Sequence, residues 1–369
     1  YFYPNLHMKI SRFFVVTCAS LGLAGAALPP LPSNPPALQP AFAAVNKNLA
    51  GENAAAFSPV GYGGAVQQTA LASLVEPATT VSLFLGWYAL NVYYNIVNKR
   101  VLNVLPFPMT ISTFQLLTGS VYYLFTVLLF RGKPELPCPV HEPAKQVYAA
   151  AAGHAIGQTA TVVSLGAGAV SFTHIVKSLE PFFSCIVTYF STKKIMDFRV
   201  YLSLIPVVGG VGLACLDKLS YNHLAFFAAM LSNLAFAIRA VKSKQALTNT
   251  KLDAPNLFGI VTTIAAAMCI PVFLAFEGVA CFKGIDSLNL LYKVLLSGLF
   301  HYLNNEVMYL TLNRVTPVTL AVGNTVKRVF IIAASVIVLG NQVGTKSIVG
   351  SAVAISGVLL YSFAKMKFE

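Results

Sequence analysis

The chain is short of charge. Asp, Glu, Lys and Arg make up only 10% of its 369 residues, and the acidic share is just 12 residues. Soluble domains carry about 25% charged residues, so an ordinary water-facing surface cannot be built from this composition. Histidine is also scarce, with six in the whole chain, and no acids and histidines cluster as a pair in the sequence. Acid–base catalysis and metal-assisted chemistry therefore lack their usual side chains, and neither a metal, a cofactor nor a catalytic residue is expected. The six cysteines (Cys18, Cys138, Cys185, Cys215, Cys269 and Cys281) are scattered without a C-x-x-C pair, which leaves metal and redox-motif readings unsupported. The period-two alternation of a membrane β-barrel is missing as well.

What the sequence has is apolar length. Hydrophobic residues make up 56% of it. Runs of about 20 apolar residues, enough to cross a bilayer as a helix, recur along the chain. Ten are read, at roughly 79–98, 109–130, 146–165, 169–191, 199–216, 222–242, 255–276, 288–312, 316–340 and 344–365, with 146–165 and 288–312 interrupted by polar residues. The expected fold is an all-α membrane protein of ten transmembrane helices in a lipid bilayer. The formal net charge is +13, a value that in a soluble protein would suggest nucleic acid. Here the cations gather in short connections: Lys99–Arg100, Arg131 and Lys133, Lys193–Lys194, Lys242 and Lys244, Lys365 and Lys367. Such flanking charge anchors and orients helices, and no nucleic-acid partner is expected.

Residues 1–78 read differently from the rest. Met8 is a plausible start, followed by Lys9, Arg12 and the apolar run FFVVTCASLGLAGAAL. That order is a secretory signal: a basic segment, a short apolar core, then small residues. The next stretch, LPPLPSNPPALQPAFAAVNKNLAGENAAAFSPVGYGG, is rich in Pro, Ala and Gly and has no means of building a core, so disorder is expected. A signal followed by such a segment resembles the two-part presequence of proteins sent to complex plastids, and Ala41–Ala43 fits that pattern. An ordinary secretory-pathway signal is the other reading.

Two charges break the apolar pattern. In VTPVTLAVGNTVKRVFIIAASVIVLG, Lys327 and Arg328 stand near the middle of a segment of spanning length. Each cation at the bilayer centre costs roughly 2.5 kcal/mol or more unless something offsets it. Internal repetition adds a third. HIVKSLEPFFSC (His174–Cys185) and NTVKRVFIIAAS (Asn324–Ser335) carry Val-Lys at the same offset, and a long apolar helix with a central Gly-Gly or Ser-Gly follows each. The reading is two halves of five helices, about 79–216 and 222–365, forming a transporter domain over 79–369. Five is odd, so the halves enter the membrane inverted, an arrangement that places a binding site at the midplane between them. Lys177, Lys327 and Arg328 then come to equivalent depths around one axis. A phosphate suits them, because Arg grips it as a fork and Lys as a point charge. Glu180, three residues after Lys177, offers the alternative of an ion pair for that lysine. Arg239, near a helix end, either snorkels to the interface or joins the site. His174 reads as a packed, satisfied histidine.

These residues resemble a known family. GHAIGQTATVVSLGAGAVSFTHIVKSLEPFFS (153–184), YLSLIPVVGGVGLACL (201–216), AAMLSNLAFAIRAVKSKQA (228–246) and VTPVTLAVGNTVKRVFIIAASVIV (315–338) look like the plastidic phosphate translocators of the drug/metabolite transporter superfamily, and WYALNVYYNIVNKRVLNVLPFP (87–108) looks like their first helix. The resemblance covers about 75–369. It implies ten helices, an inner plastid envelope location and exchange of inorganic phosphate against phosphorylated C3, C5 or C6 compounds. It also implies that Lys177, Lys327, Arg328 and Thr161 bind phosphate, with Arg239 beside the site and Phe236 lining the cavity. Two positions depart. Gln158 stands where triose- and hexose-phosphate members usually carry His. HYLNNE (His301–Glu306) replaces the usual YHLYNQ, so Asn304 stands where a tyrosine touches the carbon end. Tyr302 is two residues away, on another face of a helix, and cannot substitute. The carboxamides of Gln158 and Asn304 point toward C3 substrates: triose phosphate, 3-phosphoglycerate or phosphoenolpyruvate. A nucleotide-sugar antiporter of the same superfamily is the alternative. A lipid-phosphate enzyme is a further class, with little to support it.

Overall fold

The computed structural model describes residues 70–131, 142–193, 195–217, 221–278, 281, 284–285, 287–312, 315, 317–340 and 343–368. The leader-like stretch up to residue 69, including Met8, Cys18 and Ala41–Ala43, lies outside the described residues, as do Lys133, Cys138 and Lys194.

All the regular structure among the described residues is helical. In chain order the helices are α1 (Ala70–Val104), α2 (Pro108–Thr126), α3 (Glu142–Ala167), α4 (Val170–Val176), α5 (Glu180–Thr192), α6 (Phe198–Leu202), α7 (Ile205–Cys215), α8 (His223–Asn249), α9 (Ala254–Phe276), α10 (Leu288–Leu312), α11 (Pro317–Leu339) and α12 (Thr345–Phe368). A π turn, Val127–Arg131, extends α2, and a 3₁₀ turn, Lys177–Leu179, joins α4 to α5. Each of the ten apolar runs read from the sequence overlaps a helix or a closely joined helix pair. Helix α1 starts at Ala70, upstream of the expected 79, because ALASLV is itself made of good helix formers.

Among the described residues, six stretches are long and apolar enough to cross a membrane: Pro108–Leu129, Phe198–Cys215, His223–Asn249, Ala254–Phe276, Val322–Leu339 and Thr345–Phe368. The four segments outside that set are α1, α3, α4 with α5, and α10. They carry polar side chains that the fold turns inward: Asn91, Asn95 and Asn98 on α1, His154 and Gln158 on α3, Lys177 at the α4–α5 junction, and His301 and Asn304 on α10 are all buried. Their lower apolarity comes from what they hold in the protein interior. Outward, Leu85, Leu128, Phe190, Phe276 and Ile337 are exposed, as side chains facing lipid tails are.

The helices pack in a definite set of pairs. Helix α3 lies along α8, α1 along α10, α2 against α9 and α10, α9 against α3, and α7 along α12. Helix α11 touches α1 and α4, while α8 touches α5. Without a hydrophobic drive between helices in lipid, small residues let backbones approach. A Cβ on Gly153 would stand 2.7 Å from the Ala235 carbonyl oxygen, and one on Gly157 2.8 Å from the Phe236 ring, so α3 and α8 touch through these glycines. Helices α7 and α12 cross in the same way, with a Cβ on Gly350 falling 2.7 Å from the Ala214 nitrogen.

Candidate functional site

The α4–α5 break is written in one residue. Pro181 has no amide hydrogen, and its ring clashes with the carbonyl four residues earlier, which belongs to Lys177. The helix therefore tightens to a 3₁₀ turn over Lys177–Leu179 and restarts at Glu180, with Pro181 in its first turn. Lys177 and Glu180 flank that turn. Helix α11 has no such proline, and Lys327 and Arg328 sit within a continuous helix.

Each cation has a distinct partner. The Lys177 Nζ donates to Ser232 Oγ at 2.7 Å and to Thr161 Oγ1 at 3.1 Å, and lies 4.6 Å from the Phe236 ring centre. Thr161 and Ser232 are 2.7 Å apart, and both contact the Gly157 carbonyl. The Lys327 Nζ donates to Asn324 Oδ1 at 3.1 Å and stands 4.4 Å from the centre of Trp87, the chain's single tryptophan. Arg328 is buried and pairs with Glu180, Nη2 to Oε2 at 2.5 Å. The Arg239 Nη1 lies 2.9 Å from His154 Nδ1, and its guanidinium is 4.5 Å from the same Phe236 ring that Lys177 covers. Lys177 and Arg239 thus share one aromatic ring between them. Lys177 and Glu180 each lie within electrostatic reach of one another and of Lys327, Arg328 and Arg239, which ties the five charges into one group. The Glu180 side chain is 40% accessible beside the 8% of Arg328.

The pairing of Glu180 corrects one expectation. Its spacing from Lys177 offered a local ion pair, but the carboxylate goes to Arg328, across the bundle.

The two carboxamides sit in a buried polar lattice. The Gln158 Nε2 donates to Tyr94 OH at 2.9 Å and to Gln115 Oε1 at 2.8 Å. The Gln115 Nε2 goes on to Asn98 and Ser297. Asn304 accepts from Asn91 at 2.9 Å, while its own NH2 donates to the Phe300 and His301 carbonyls, both at 2.8 Å. In this conformation the donors of both residues are committed within the protein. Tyr302 is fully buried against Tyr122 and Phe258, away from Asn304's partners, as its place on the helix requires. His174 is packed, as expected, with its Nε2 2.8 Å from Asn95 Oδ1, but it is not fully satisfied: its Nδ1 is buried without a partner.

Sequence reasoning missed Ser232, Trp87, Asn324, His154 and His301. Asn324 was visible as the partner of the lysine one turn later. Asn91, Asn95 and Asn98 were visible too, since their spacing puts three amides on one helical face. Ser232 and the two histidines carry no local signal, because only the pairing of α3 with α8 and α10 gives them neighbours. Among the described residues, no group of three or more His, Cys, Asp or Glu is placed to hold a metal ion. A separate apolar cavity of about 560 Å³, lined by Met109, Ile156, Phe227, Leu231, Met268 and Val272 among others, contains none of these cations.

An all-helical bundle with helices of membrane-crossing length, and with Lys177 and Arg328 buried inside it, defines a membrane protein that carries cations in its interior. The chain belongs to the Triose-phosphate Transporter family, whose sequence pattern matches residues 78–362. It is 39% identical over 299 residues to the chloroplastic triose phosphate/phosphate translocator of Pisum sativum, spanning 79% of this chain and 73% of that one. The Zea mays protein of the same name is 40% identical over 295 residues, spanning 78% of this chain and 71% of that one. A chloroplastic glucose-6-phosphate/phosphate translocator of Arabidopsis thaliana is 36% identical over 292 residues, spanning 77% of this chain and 74% of that one. A solved crystal structure superposes with a TM-score of 0.52 at 13% identity, covering 79% of this chain and 99% of the other, a likeness of fold alone.

Proposed function

We propose that the chain is an antiporter that exchanges inorganic phosphate for phosphorylated C3 compounds across a plastid membrane by alternating access. Lys177, Lys327, Arg328 and Thr161 hold the phosphate, and Ser232 completes the set. The observation that carries this reading is the charge imbalance: four cations, Lys177, Lys327, Arg328 and Arg239, face one carboxylate, Glu180, within one enclosed group. Phosphate brings close to two negative charges and several acceptor oxygens. Lys177 already points at two hydroxyls that are themselves phosphate ligands in waiting, so the anion joins a formed cradle. The names of the relatives support both the phosphate-linked exchange and the plastid. The leader-like first 78 residues agree with delivery to such an envelope membrane.

Two inverted five-helix repeats give the reading its mechanical side. Number the ten segments I to X, with α4–α5 as IV and α6–α7 as V. Exchanging each segment with the one five places on turns the I–VIII contact into VI–III and the II–VIII contact into VII–III, while II–VII and V–X map onto themselves. Every one of these pairs is present. This permutation supports repeats of about 79–216 and 222–365 more strongly than the thin sequence identity does. Closing one side while opening the other is then a rocking of equivalent halves about the site.

The test is labelled-phosphate uptake into liposomes that are empty or loaded with phosphate, dihydroxyacetone phosphate, 3-phosphoglycerate, phosphoenolpyruvate, glucose 6-phosphate or a nucleotide monophosphate. Uptake that needs phosphate or a C3 phosphate inside is expected. Rapid uptake into empty vesicles, or uptake driven by the nucleotide alone, overturns the proposal.

A further inference from the structure

The unspent polar capacity of the site lies one turn beyond the residues considered so far. His154, one helical turn before Gln158 on α3, is fully buried, and its Nε2 has no hydrogen-bond partner. His301, three residues before Asn304 on α10, is 4% exposed, and its Nε2 is also unpartnered. The two rings stack, with centres 5.8 Å apart and planes 16° from parallel. By contrast, both NH2 groups of Gln158 and Asn304 are already used inside the protein.

Arg239 settles the polarity of His154. A guanidinium has donors and no acceptor, so the His154 Nδ1 at 2.9 Å from Nη1 must be the accepting, unprotonated nitrogen. A neutral His154 therefore carries its proton on Nε2. That N–H is a buried donor without an acceptor, and the Arg239 Nε–H is a second one. Buried donors are seldom left so, and each one demands an explanation. The position suggests one. Phe236 neighbours both this layer and the phosphate cradle, with Lys177 4.6 Å from its centre and the His154 ring 6.2 Å from it, so both groups gather around one ring.

We propose that His154 and His301, with Arg239 holding the His154 tautomer, form the subsite for the organic end of the substrate, and that the subsite takes a carboxylate in preference to a hydroxyl. This rests on the phosphate-exchange reading and narrows its substrate class to phosphorylated C3 acids. In the conformation described here neighbouring atoms close the Nε2 positions off. The acceptor reaches them when the halves move apart, and the orphaned donors make the closed empty state unfavourable.

Matched probes test this in the unaltered protein. 3-Phosphoglycerate and glycerol 3-phosphate share the phosphate and the three-carbon chain, and differ at the end in a carboxylate against a hydroxymethyl. Both are titrated against the emission of Trp87, the single tryptophan, which lies beside Lys327. Preference for 3-phosphoglycerate by about tenfold or more is expected, because hydrogen bonds to a charged acceptor exceed neutral ones by that order. In liposomes, His154→Phe and His301→Phe keep a ring and remove the nitrogen. Each is expected to shrink the ratio of 3-phosphoglycerate-driven to dihydroxyacetone-phosphate-driven phosphate uptake, and His154→Gln to restore part of it. Equal binding of the two probes to the unaltered protein overturns the proposal, as does an unchanged ratio in both Phe variants. Failure of phosphate itself to exchange in the unaltered protein refutes the parent reading instead.

Discussion

Arg328→Lys is the perturbation that most sharply separates a phosphate grip from a structural ion pair. Arg328 presents a fork, one arm of which is held by Glu180 through Nη2. On the proposed reading, the remaining donors meet phosphate. Lysine keeps the charge and three donors, but they fan from one nitrogen instead of lying in a planar fork, so it serves carboxylate and phosphate together less well. The substitution then removes about one charge-assisted hydrogen bond, worth roughly 1.5–3 kcal/mol. At 1.4 kcal/mol per tenfold, that raises the half-saturating phosphate concentration by about 10- to 100-fold. The loss should be the same whichever organic phosphate is on the other side, because all share the phosphate end. Adding Glu180→Gln releases the lysine from its competing partner and should recover a large part of the deficit. A coupling of about 0.5–3 kcal/mol between the two sites is the signature of residues in one network.

The same cycle tests the role of Glu180 directly. If its pairing with Arg328 merely holds the fold, Glu180→Gln leaves a buried guanidinium short of a counter-charge and costs stability, an effect that reaches about 3–5 kcal/mol for a fully buried pair. Glu180 is 40% accessible, so the cost here is smaller. If instead Glu180 occupies a place that phosphate competes for, Glu180→Gln tightens phosphate binding and enlarges the rise in melting temperature that phosphate produces. The assay is phosphate exchange in liposomes beside a thermal melt in detergent. Arg328→Lys with a half-saturating concentration within threefold of the parent would refute the argument. Additive behaviour of the two substitutions would refute the competition.

Three further outcomes follow from contacts in the site and bundle. Ser232→Ala removes one of the two hydroxyls on Lys177, and a lost charge-assisted hydrogen bond of about 1.5–3 kcal/mol should weaken phosphate by roughly 10- to 100-fold, equally for all counter-substrates in liposome exchange. Trp87→Leu removes the ring under Lys327, and the loss of a cation–π contact of about 0.5–2 kcal/mol should lower phosphate affinity in competition assays while leaving the ratio between organic substrates as it was. Gly210→Val forces a side chain into the Ala354 backbone where α7 crosses α12, and overpacking of about 1–3 kcal/mol should lower the melting temperature; an unchanged melt would mean that the two helices do not approach so closely.

The sequence made the lipid-facing part of the fold easy to read and the interior part harder, for one physical reason. Segments such as α9 and α12 hold an apolar stretch of full bilayer length, which marks them. Segments such as α3 and α10 hide polar residues inside the bundle, and the interruptions that weakened them in the sequence include the residues of the proposed site. Lys327 and Arg328 were legible because a charge in hydrocarbon has no bland explanation. Glu180 was legible as an acid beside Lys177 but not as the partner of Arg328, since that contact spans 148 residues of sequence. Gln158 and Asn304 were noticed because they depart from the family pattern. Their engagement with Tyr94, Gln115 and Asn91 needed three helices that no local pattern brings together.

The Glu180–Arg328 pair also sharpens why such a centre should exchange and not leak. With the pair formed, Lys177, Lys327 and Arg239 have no ion-pair partner among the described residues. Two unit charges 4 Å apart interact with about 4 kcal/mol at an effective dielectric constant of 20, so squeezing out water around three like charges is costly. One resident carboxylate is too little to let the empty site close, yet enough to orient Arg328 while it waits. Phosphate supplies what is missing, and with it bound the halves can pass through a water-excluded state. Passage in either direction then requires a bound anion, and the return step needs one as much as the outward step. On the proposed reading, one-for-one exchange needs no second ion to drive it. It follows from a charge set that the protein leaves incomplete by one phosphate.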